Sequence, residues 1–142
     1  MPGYRRIADE VTHRAQDVYE HVRAINHSTI TRPPLPASDV YPALTALAET
    51  GHALGQAIGQ LAECLDRSAT EYELRNDDNT DPLATLAQAR RQLVTAEANA
   101  RRLGSDLAAA CTLLARQGHR GPRTASPTAT SQTGTPREWA LR

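Results

Sequence analysis

The stretch VYPALTALAETGHALGQAIGQLAECLDRSATEY, Val40 to Tyr72, decides the fold. Val40, Leu44, Leu47, Gly51, Leu54, Ile58, Leu61, Leu65, Ser68 and Tyr72 recur in alternating steps of four and three. That is the spacing of one face of a long α-helix. A second register of the same kind runs through Leu86, Ala89, Leu93, Ala96, Ala100, Leu103, Leu107, Ala110 and Leu114. Between them Asn76-Asp-Asp-Asn-Thr-Asp81 is a polar turn, and Asp81-Pro82 reads as an N-cap followed by a first-position proline. Two long apolar seams joined by a tight turn predict an antiparallel, coiled-coil-like helical hairpin, with helices over about 40–75 and 82–117.

Working outward, Tyr4, Ile7, Val11, Ala15, Val18, Val22 and Ile25 form the stripe of a shorter first helix, about 4–27. Residues 28–38 follow as a linker in which Pro33, Pro34 and Pro36 favour extended backbone, long enough for helix 1 to pack in either direction. Ser38 or Asp39 is expected to cap helix 2, with Pro42 in its first turn. Small residues flank the helix 2 seam: Ala48, Gly55, Ala62 and Ala69 on one side, Ala43, Ala57 and Cys64 on the other. Such a helix can take two neighbours, so helices 1 and 3 are both expected on helix 2, a three-helix bundle over 1–117. Gly118 should end helix 3, and 118–142, rich in Gly, Pro, Ser, Thr and Arg without periodicity, should be a disordered tail.

The formal charge is zero, which removes any global field for nucleic acid or anionic membrane. All 16 basic residues are Arg, which is economically read as codon bias of a GC-rich genome. Aromatics make up 4% and Phe is absent, so Leu, Val, Ile and much Ala must fill the core. Such a core buries little area per residue, and a modestly stable monomer or an associating chain is expected. The N-terminus lacks the apolar stretch of a signal peptide. Leu107–Ala115 is far short of the roughly 20 residues of a membrane span, and a cytoplasmic location is expected. Cys64 and Cys111 fall far apart along the hairpin, too far for a disulfide, and are read as small buried thiols.

No catalytic pattern is found and no enzyme activity or cofactor is expected. Gly51, Gly55 and Gly59 form GxxxGxxxG in a helix, where each glycine costs about 1 kcal/mol relative to Ala. They mark a helix-contact or dimer face, and packing of helix 1 there is the favoured reading. Asp77, Asn79 and Asp81 imitate a calcium loop, but Pro82 replaces the required glycine and Gln88 the closing Glu, so a polar turn is favoured. Asp9, His13, Asp17 and His21 stand four apart and are read as a solvated charged row opposite the apolar stripe. Arg90-Arg91 and Arg101-Arg102 are read as a solvated arginine face, with a phosphate-contacting stripe as the functional alternative. Arg32-Pro-Pro-Leu-Pro36 holds a PxxP core and is read as linker. Trp139, in the basic tail, is a candidate linear motif.

The helical region resembles Ala/Leu/Arg-rich small helical proteins of actinobacteria and, in architecture, the WXG100-like secreted helical hairpins. The second resemblance implies an exported dimeric hairpin. The Trp-x-Gly of its turn is replaced here by Asn76–Asp81, and its C-terminal Tyr-x-x-x-acid signal is missing, with Asn76 at that distance from Tyr72. Taken together, the residues predict a non-enzymatic protein acting through a protein partner or self-association, with a nucleic-acid accessory role using the helix 3 arginines as the alternative.

Overall fold

The computed structural model describes residues 2–30, 33–78 and 80–117. They form three helices, α1 (Pro2–Ile30), α2 (Ala37–Glu71) and α3 (Pro82–Leu114), with no strand among the described residues. At 1.5 Å per residue these are about 44, 52 and 50 Å long. α2 and α3 form the antiparallel hairpin, in extensive contact, and α1 completes the all-α arrangement. The segment expected to be a disordered tail lies outside the described residues, as do Gly118 and Trp139.

The turn is closely knit. Asp81 accepts from the Leu83 N–H at 2.9 Å and caps α3 ahead of Pro82. The Asn76 amide donates to the hydroxyls of Thr80 at 2.7 Å and Thr85 at 2.8 Å, tying the turn to the start of α3. Reaching those partners takes extended chain, and α2 accordingly ends at Glu71 rather than near Arg75, with Tyr72 at φ −125°, ψ 145°. At the other end neither Ser38 nor Asp39 is the cap. Pro36 occupies that position, its carbonyl accepting from Asp39 and Val40 at 3.0 and 3.1 Å, with no side-chain cap. The prolines hold the chain extended up to Pro36 and the helix begins at once, which moves Pro42 into the second turn.

The hairpin interface is not centred on the leucine seam. Its buried residues are Ala48, Gly51, Gly55 and Ala62 of α2 against Ala100, Gly104 and Cys111 of α3. Leu54, Leu61 and Leu65 of the expected seam remain 43%, 49% and 37% exposed, whereas Ala62 is fully buried. Small side chains let two helix backbones approach where leucines would hold them apart. The contact line has therefore rotated onto the Ala48–Gly55–Ala62 shoulder.

Val18, Val22 and Ile25 of α1 face Leu47 and Thr50 of α2 across an open groove of about 470 Å³. α1 stands off: among the described residues none of its Cα atoms comes within 8 Å of α2 or α3. Helices in tight contact have axes 8–10 Å apart and would not leave such a gap. Its stripe is correspondingly open, from 60% at Ile7 to 40% at Val22.

Candidate interaction surface

Among the described residues the glycine row meets α3, not helix 1, and meets it closely. A Cβ on Gly51 would lie 2.8 Å from the Gly104 nitrogen and 2.9 Å from its Cα. A Cβ on Gly104 would in turn meet the Ala48 carbonyl oxygen at 2.8 Å. One on Gly55 would fall 2.7 Å from Cγ of Arg101. Only hydrogen fits where two backbones touch, so the propensity cost of these glycines is offset by the approach they allow. At Gly59 the crossing has opened, and an added Cβ would meet only the Glu97 carboxylate at 3.1 to 3.3 Å. Gly104 is a functional residue of this crossing that the heptad reading passes over. The four-residue spacing of Ala100 and Gly104, small residues level with Gly55 and Gly51, was the signal that could have found it.

Because small residues fill the interface, the large apolar ones are left beside it. At 100° per residue, Leu47, Leu54, Leu61 and Leu65 sit between 60° and 110° around α2 from the contact line. Leu103, Leu107 and Leu114 are displaced on α3 in the sense that, for an antiparallel neighbour, brings them to the same side. The hairpin therefore has one leucine-rich side, with Leu103 52% exposed. α1 borders this side through the Leu47–Thr50 groove.

The opposite side carries a shallow concavity of about 560 Å³ near the open end, lined by Tyr41, Thr45, His52, Cys111, Thr112 and Arg116 among others. It has no nucleophile–base pair. His52 lies over Gly104, whose added Cβ would be 2.9 Å from the ring. Cys111 is seven residues further along α3, about 10 Å away. Thr45 Oγ1 donates to the Tyr41 carbonyl at 3.1 Å and lies 3.6 Å from Cys111 Sγ. Cys111 is the buried thiol expected. Cys64 is not, because it faces away from the contact line; it is exposed and accepts from Arg67 Nη2 at 3.1 Å.

The polar constellations resolve into local bonding. Thr80 donates its hydroxyl (2.7 Å) and its N–H (3.1 Å) to Asp78, which holds that carboxyl below the usual carboxylate range. Among the described residues no group of three His, Cys, Asp or Glu side chains converges as metal ligands. The Asp9–His13–Asp17–His21 row does not lie wholly opposite the stripe. A row of i,i+4 residues advances 40° per step, so its last members swing round and Asp17 and His21 border the α1–α2 groove. His21 Nδ1 donates to the Asp17 carbonyl at 2.6 Å, and a carbonyl only accepts, so that nitrogen carries a proton. Of the helix 3 arginines, Arg90 reaches across to Asp66 at 2.9 Å, Arg101 pairs with Glu97 at 3.0 Å and Arg102 with Asp106 at 3.7 Å, while Arg91 is exposed. The Arg102–Asp106 pair is open to solvent, whereas Arg90 and Glu97 are half-buried, and Nη1 of Arg90 is buried without a partner among the described residues. Together the pairs draw three of the four guanidiniums toward carboxylates.

No protein-family model, curated protein or solved structure matches this chain. No helix among the described residues is long and apolar enough to cross a membrane.

Proposed function

We propose that this chain is a non-enzymatic helical interaction protein whose working surface is the leucine-rich side of the α2–α3 hairpin. The observation that carries this reading is the inversion of the usual pattern: alanine and glycine are buried while Leu54, Leu61, Leu65 and Leu103 stay open. Leucines left open along one side of a hairpin suit contact with another apolar helix face. The partner is a second copy or another protein presenting an apolar helical face. An exposed free thiol at Cys64 suits a reducing compartment, and the reading places the protein in the cytoplasm.

The test is absolute mass by light scattering across a wide concentration range, with the fluorescent dye ANS as a probe of open apolar surface. The wild type should bind ANS, and Leu54→Glu/Leu61→Glu should lose most of that binding while keeping its helical circular dichroism. Mass rising with concentration in the wild type alone would identify a second copy as the partner. Equal ANS binding by both proteins would dismiss this surface.

A further inference from the structure

We draw no further inference here: the strongest candidate, the apolar side of the α2–α3 hairpin formed by Leu54, Leu61, Leu65 and Leu103, is the surface already proposed above, and nothing in the structure shows what covers it.

Discussion

Gly51 and Gly59, two turns apart on one helix, show one residue type in opposite roles, and Leu54 and Ala62 show the larger side chain exposed and the smaller one buried. Gly51→Ala gains about 1 kcal/mol of helix propensity but drives a methyl against Gly104 backbone that cannot move aside. A net loss of about 1–3 kcal/mol is expected, read as a lower midpoint in urea. Gly59→Ala meets only the carboxylate end of Glu97 and should stabilise by about 0.5–1 kcal/mol, read as a higher midpoint. On the heptad reading, replacing Leu54 and Ile58 together by Asp would unfold the hairpin. The structure leaves Leu54 43% exposed and predicts that Leu54→Asp alone stays folded and helical, whereas Ala62→Leu at a fully buried site should be the damaging change. The heptad made the existence of an interface legible but not its centre, because hydrophobicity ranks Leu above Gly and close approach ranks them the other way.

The element boundaries were legible wherever a local hydrogen bond sets them. Asp81-Pro82 gives the start of α3 from two residues. The end of α2 was not legible in the same way, because it depends on Asn76 finding Thr80 and Thr85 across the turn. That turn has a pH signature. The Asp78 carboxyl titrates below the ordinary value of about 4 because Thr80 bonds its ionised form. A depressed folded value means that its contribution is complete above the unfolded pKa and is lost as pH falls through the lower, folded one. A carboxyl-detected NMR titration should place Asp78 below the other exposed aspartates. Thr80→Ala, which removes the hydroxyl and keeps the N–H, should return it part of the way.

Over the whole molecule, a hairpin packed through Ala and Gly and a first helix standing clear bury little apolar surface. Amide exchange should therefore be slowest around Gly51–Gly55 and Ala100–Gly104 and fastest through α1. A pattern with α1 as protected as α2 would contradict the open arrangement. The heat capacity of unfolding per residue should fall below the usual ~12–15 cal/mol/K, measured by calorimetry. The three-helix architecture was legible in the sequence because each amphipathic stripe is local. The distance at which α1 stands was not, since stripe periodicity says that a face is apolar and nothing about whether it is covered.

The two thiols differ in access, Cys64 in solvent and Cys111 buried at the edge of the hairpin seam, in the wall of the shallow concavity near its open end. A maleimide will therefore modify Cys64 at once and Cys111 slowly, at a rate that rises as α2 and α3 part at the open end. The ratio of the two labelling rates is a clock for that parting, and it runs without any substitution, on the native chain and in a cell extract.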